Sequence, residues 1–167
     1  LLFMGSEFGQ FIEWNYKQGL DWLLLQYDKH KMLSNYTKEL NKFYKDHSEL
    51  WEIDYSWDGF QWISSEDNCN SVIAFRRINK AGDAIIAVFN WTPNSFDSYK
   101  IGVPDPGTYK VIFDSSLAKY GGSKPRLSGT YKSTKKPIHG FDQQIDIKLR
   151  GLSAVYLKKV EKKKKLN

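Results

Sequence analysis

Apolar positions along this chain follow two periods. From Asp28 they recur three and four residues apart, at Leu33, Tyr36, Leu40, Phe43 and Tyr44, while Lys29, Lys31, Lys38, Glu39, Lys42 and Lys45 fall mostly between them. That spacing puts one apolar stripe on a helix and predicts a helix over Asp28–His47 with Asp28 as its N-cap. After Trp51 the period shortens to two. Alternation predicts strands at Phe60–Ile63, Val72–Ile78, Ala84–Asn90, Ser98–Ile101, Tyr109–Asp114, Ile145–Leu149 and Ser153–Val160, each bounded by Gly, Pro, Asn or Asp. Asn79 to Asp83 reads as the turn of a hairpin between the second and third of them. The stretch Ser115–Phe141, rich in Gly, Ser, Lys and Pro, reads as a long irregular excursion with one short strand around Gly129–Lys132. Short antiparallel strands at this density point to a β-sandwich.

The front of the chain reads differently. Leu1, Leu2, Phe3 and Met4, closed by Gly5, form a continuous apolar run, the pattern of a strand buried on both faces of a parallel sheet. With the helix from Asp28 this makes one βα unit, and no second βα repeat follows. A buried parallel strand needs neighbours on both sides, so the expectation is the last fragment of a larger enzyme, its loop after the strand facing a substrate. The expected organisation is residues 1–51 as strand, loop and helix, 52–160 as an all-β domain, and 161–167 as a disordered basic tail. The expected fold class is therefore mainly β.

Composition narrows the function classes. At 167 residues and 19.5 kDa the chain holds one or two small domains, and a mean hydropathy of −0.56 leaves no room for a membrane span. Cys69 is the one cysteine, which excludes an internal disulfide framework or a cysteine metal cluster and points to a reducing cytoplasm. The net charge of +6 falls to +1 without the last ten residues, KKVEKKKKLN, which read as a solvated tail. With the body nearly balanced and no basic stripe interleaved with aromatics, no nucleic-acid or membrane partner is expected. His30, His47 and His139 are scattered, so no metal site and no cofactor are expected. Aromatic residues make up 16% of the chain, with six Trp and ten Tyr, a density that suits sugar-stacking surfaces or large cores. Asn35-Tyr36-Thr37 and Asn90-Trp91-Thr92 match the glycosylation sequon, which a cytoplasmic protein would not use.

Several motifs in one order carry a resemblance. FMGSEFGQ, then Glu13-Trp14, then Leu20-Asp21-Trp22, a helix, Asp58-Gly59-Phe60 with Trp62, Asn70-Ser71-Val72, Asn90-Trp91-Thr92-Pro93, Tyr120-Gly121-Gly122-Ser123 and His139-Gly140 together resemble the C-terminal part of bacterial 1,4-α-glucan (glycogen) branching enzymes, of the α-amylase superfamily. Ser6 stands where many members have a second Gly, Leu23 where a His is common, and Arg150-Gly151 where Pro-Pro is usual; none of these positions is expected to do chemistry. The resemblance implies a truncated (β/α)8 barrel, whose last βα unit is the front of this chain, followed by the antiparallel β-sandwich. Active sites of such barrels lie at the C-terminal ends of the strands. Glu7, Gln10 and Trp14 would then lie at the rim of a glucan cleft, with α-glucan and the missing N-terminal barrel as partners.

Branching cuts an α-1,4 bond and re-forms it on a 6-hydroxyl with retention, which takes two carboxyl groups ~5–5.5 Å apart. The resemblance places the nucleophilic Asp, the acid/base Glu and a stabilising Asp before Leu1, so no catalytic residue is expected here and the chain alone should be inactive. Glu7, Glu13 and Asp21 offer local carboxylates, but an isolated loop lacks the shell that would hold two of them in register. Trp57, Phe60 and Trp62 form either a sugar-stacking platform or a packing surface. Two other readings remain: a stand-alone α-glucan-binding β-sandwich module, and a debranching or hydrolytic relative of the same superfamily.

Overall fold

The computed structural model describes residues 2–161. These divide into two compact units, one holding the chain up to Asp46 together with Ser115–Arg126, the other His47–Asp114 together with the chain from Leu127 onward.

In the first unit the predicted helix forms as α1, Asp28–Asp46, preceded by a 3-10 turn at Trp22–Gln26. Asp28 lies in its first turn and Lys45 in its last, each sign matching the helix dipole. Phe43 is the helix residue that is fully buried, and Tyr44 remains 46% exposed. On one side α1 meets part of the Ser115–Arg126 excursion: the Tyr120 ring stands edge-on to Tyr36 at 5.3 Å, and Glu39 accepts hydrogen bonds from Lys119 and, at 2.6 Å, from the Tyr120 hydroxyl. The Lys119 and Tyr120 hydrogen bonds hold the Glu39 carboxyl below its ordinary value. Burial, then the Glu39 contact, pushes the Tyr120 hydroxyl up to about 12.

The expected strand at Leu1–Gly5 is not formed over its described residues. Gly5 takes φ +88°, Ser6 N–H donates to Phe3 O at 2.8 Å, and Gln10 N–H donates to Gly5 O at 3.0 Å, so this backbone satisfies itself in turns. Leu2, Phe3 and Met4 are each more than half exposed. A strand inside a parallel sheet draws its hydrogen bonds from both neighbours, and among the described residues no strand lies beside this segment. What is buried is Phe8, at 1% exposure, under α1: its carbonyl is 2.8 Å from His30 Nδ1, and Thr37 Oγ1 donates to Glu7 O at 3.2 Å.

The second unit carries the alternating pattern. Its strands are β1 Phe60–Asp67, β2 Val72–Ile78, β3 Ala84–Asn90, β4 Phe96–Val103, β5 Thr108–Asp114, β6 Thr130–Lys132, β7 Gln143–Leu149 and β8 Ser153–Lys159. The large sheet runs β1-β2-β3-β8-β5-β6 and the small one β4-β7, all described pairs being antiparallel. The two form the expected sandwich. Val72, Ala74, Ile86, Val88, Val111, Val155 and Leu157 of the large sheet face Tyr99, Ile101, Val103, Ile145, Ile147 and Leu149 of the small one in a single core. The hairpin turn closes as predicted, with Asn79 N–H on Asp83 O, Asp83 N–H on Asn79 Oδ1, and Gly82 at φ +85°.

Residues 47–59, which precede β1, form a strap on the outer face of the large sheet, its 3-10 turn Ser48–Leu50 lying against β2 and β3. Polar clamps hold it: Asn79 Nδ2 donates to Ser48 Oγ, Lys80 N–H to Glu52, and Arg77 to Asp54, Ile53 O and Gly59 O. Glu49 is buried to 2% exposure, accepts from Lys158, and has His47 Nδ1 3.7 Å from its other oxygen. Burial raises the Glu49 carboxyl, but Lys158 and its own backbone N–H outweigh burial and leave it below the usual value. Lys158 and Lys159 are strand residues of β8, as the predicted strand Ser153–Val160 has them, although the lysine run groups them with the solvated tail. The rest of that run, 162–167, lies outside the described residues.

Candidate functional site

The two sets of sequence-predicted site residues fall in different units, and each is described alone. In the first, Glu7 lines an open hollow of about 660 Å³ beside α1, with Thr37, Asn41, Lys38, Lys42 and Lys45 on the helix side. These are hydrogen-bonding groups on a shallow surface. Gln10 serves the loop itself: its Oε1 accepts from Asp21 N–H at 2.8 Å and its Nε2 donates to Ile12 O at 3.0 Å. Trp14 is half-buried, with Phe3 edge-on to its ring at 5.5 Å. Of the three, Glu7 is the one that lines the hollow.

In the second unit the structure assembles what the sequence left apart. Trp57 and Phe60 lie 6.0 Å apart by ring centroids, Phe60 and Trp62 4.9 Å, Phe60 and Phe75 5.1 Å. The rings continue across the sheet: Phe75 to Phe89 at 5.7 Å and 18°, then Phe89 to Trp91 at 5.8 Å and 9°. Tyr156 of β8 meets Phe89 edge-on at 6.0 Å. None of these rings belongs to the sandwich core, because strand alternation turns them to the opposite face. Trp57, Trp91 and Trp62 are 81%, 62% and 48% exposed, whereas Phe60, Phe75 and Phe89 are half-buried between them.

The end of this column is rigidly built. Asn90, 2% exposed, donates through Nδ2 to Asn94 O at 2.7 Å and Arg150 O at 2.9 Å, and accepts through Oδ1 from Thr92 N–H at 3.0 Å and Thr92 Oγ1 at 2.9 Å. Trp91 N–H donates to Ser71 O at 3.1 Å. The Asn90 sequon is thus the buried knot of a turn. Phe75, Phe89 and Trp91 were absent from the sequence-predicted set. Their signal was present in the period-two pattern, since Phe89 and Trp91 are two residues apart and Phe75 shares their face across the hairpin. Among the described residues no group of three or more His, Cys, Asp or Glu side chains is placed to hold a metal ion.

The family profile "Alpha amylase, C-terminal all-beta domain" matches residues 62–160, which takes in all of the sandwich but the first residues of β1. The chain belongs to that family. Around this alpha-amylase-type domain the likeness to curated relatives extends over nearly the whole chain. It is 50% identical over 159 residues to a 1,4-alpha-glucan branching enzyme GlgB of Halothermothrix orenii, covering 95% of this chain and 25% of the relative. It is 45% identical over 163 residues to a protein of the same name from Prochlorococcus marinus, covering 97% and 22%, and 44% identical over 160 residues to one from Francisella philomiragia, covering 95% and 25%. The chain thus spans about a quarter of the length of these relatives. Among solved structures, the catalytic module of the multi-modular glycogen-degrading pneumococcal virulence factor SpuA aligns with a TM-score of 0.53 at 17% identity, covering 86% of this chain and 20% of that one. At that identity the likeness is one of fold. No described helix is long and apolar enough to cross a membrane.

Proposed function

We propose that this chain works as the C-terminal segment of a cytoplasmic 1,4-α-glucan branching enzyme, which cleaves α-1,4 glucosidic bonds and transfers the chain to a 6-hydroxyl to form α-1,6 branches in glycogen. The observation that carries the reading is the 50% identity over 95% of the chain to a branching enzyme four times its length. Retention at the anomeric carbon requires two carboxyl groups at ~5–5.5 Å, one forming the glycosyl-enzyme and one acting as acid and then base. In this reading both belong to the preceding barrel, and the chain alone is inactive. Leu2, Phe3, Met4, Phe11, Trp22 and Leu23, each between 55% and 81% exposed, form the surface that the barrel covers. Glu7 offers its carboxylate to glucan hydroxyls from the hollow beside α1, Gln10 holds the loop that presents it, and Trp14 lies on the same loop. Trp57, Phe60 and Trp62 stack on glucan elsewhere on the surface. These last residues also favour a second reading, a stand-alone α-glucan-binding module, because two tryptophans left this exposed are costly unless something stacks on them.

A chimera tests the choice. The first three quarters of the Halothermothrix orenii enzyme, joined to this chain in place of its own C-terminal quarter, should branch amylose, read as a shift of the iodine complex to shorter wavelength. This chain alone should produce no shift. A soluble, folded chimera without activity, or branching by the chain alone, would overturn the proposal.

A further inference from the structure

We propose that the aromatic column on the outer face of the large sheet is one extended α-glucan-binding surface, running from Trp57 to Trp91, with Trp91 as its terminal anchor. The inference rests on the glucan reading above and extends it across three strands. Three observations support a neutral polysaccharide as the occupant.

The first is ring geometry. Phe75, Phe89 and Trp91 have planes within 18° of one another at each step, and each step is under 6 Å, so the column ends on one flat indole face. That indole is 62% exposed. The apolar C–H face of a pyranose packs on such a ring while its hydroxyls stay in water, and the indole Nε1–H can donate to one of them.

The second is charge. Of the cations on this sheet face, Arg77 and Lys158 are paired, with Asp54 and Glu49, and Lys110 and Lys132 belong to β5 and β6, on the far side of β8 from the rings of β1, β2 and β3. Along the column itself the side chains are uncharged Phe, Trp and Tyr. A charged peptide or a nucleic acid would find no complementary partner there, whereas an uncharged polyol needs none.

The third is preorganisation. Four hydrogen bonds on buried Asn90 and the Trp91 N–H bond to Ser71 O fix the turn that carries the indole. A ring already held in place loses little freedom on binding. Repeating rings also match a repeating ligand, so affinity should rise with the number of glucose units.

The test uses the 167-residue chain in native gels containing glycogen, with maltoheptaose and maltose titrated against tryptophan fluorescence. Wild type should be retarded and should bind maltoheptaose more tightly than maltose. Trp91→Ala should weaken binding at least about fivefold, and Trp91→Phe, which keeps a ring, should recover most of it. Urea midpoints matching wild type will show that both variants are folded. Retardation of Trp91→Ala equal to wild type overturns the inference, as does a wild-type chain that is not retarded. If Glu7→Ala abolishes retardation and Trp91→Ala does not, the loop contact proposed above stands and the column falls. If Trp91→Ala instead converts a dimer into a monomer in sedimentation while retardation is unchanged, the face is a self-association surface and the inference is wrong. Branching by the chimera is independent of all these outcomes.

Discussion

Replacing Asn90 with alanine removes a side chain that is 2% exposed and makes four hydrogen bonds. Each such bond contributes ~0.5–1.5 kcal/mol net, which brackets the loss at ~2–6 kcal/mol. Two facts bring it to the lower half of that range. Arg150 O keeps a second donor, Ser153 Oγ at 2.7 Å, and Asn94 is exposed, so water can reach its carbonyl once the amide is gone. Thr92, half-buried, loses the acceptor for both its N–H and its hydroxyl. The expected cost is ~3 kcal/mol, and with a urea slope of ~2 kcal/mol per M the midpoint should fall by ~1.5 M. Far-UV circular dichroism and tryptophan fluorescence, followed in parallel, should move together. The same variant should also loosen the turn that carries Trp91 and weaken glycogen retardation below the level set by stability alone. A midpoint shift under ~0.3 M would refute the view that Asn90 is the knot of this turn.

Two further outcomes follow from the second unit. A Cβ on Gly59 would lie 2.0 Å from Ile53 O, so Gly59→Ala must push the strap backbone off the sheet; a loss of ~2 kcal/mol or more and a melting temperature at least ~4 °C lower are expected, while Gly19→Ala, with open space around it, serves as the unchanged control. Burial holds the His139 imidazole below its ordinary 6.5, against the pull of Asp67, and Gly102 N–H donates to its Nδ1 at 3.3 Å. The unfolded chain therefore takes up this proton first as pH falls: the stability is full above about 6.5 and is lost progressively below it, and urea midpoints at pH 7.5 and 5.5 should differ in wild type and much less in His139→Gln.

The sandwich was legible because its strands obey one simple rule. Val72–Ile78 and Ala84–Asn90 are short, mostly apolar runs bounded by turn residues, and the structure reproduces both ranges and the turn at Asn79–Asp83. Pairing was not legible. β8 inserts between β3 and β5, and β7 leaves its sequence neighbour to join β4; each choice is made by the core as a whole, and no local pattern records it. Residues 2–5 take turns for a related reason: an apolar run reports only that something should cover it, and the turns around Gly5 satisfy its backbone without a sheet. Lys158 shows the converse. Its place in a lysine run argued for solvent, yet its amine reaches Glu49, whose burial no sequence spacing announces. Glu7 and Gln10 could be picked out as polar loop residues, but that Gln10 spends its amide on Asp21 and Ile12 is fixed by the fold of the loop.

The strap and the ring column divide one sheet face, and the division follows from how each is held. Beneath the strap Ile85 and Ala87 are fully buried, and the polar atoms brought over them are matched one to one, Ser48 with Asn79, Glu52 with the Lys80 N–H, Asp54 with Arg77, Glu49 with Lys158. A strap held by polar clamps can stop where its partners stop. It does so at Gly59, where the absence of a Cβ lets the backbone turn tightly under Ile53 into β1. From Phe60 onward no clamp is available on this face, and the side chains change to aromatic. Leaving them bare costs apolar exposure unless a ligand with an apolar face and a hydroxylated rim takes their place, which is the chemistry of a glucan chain.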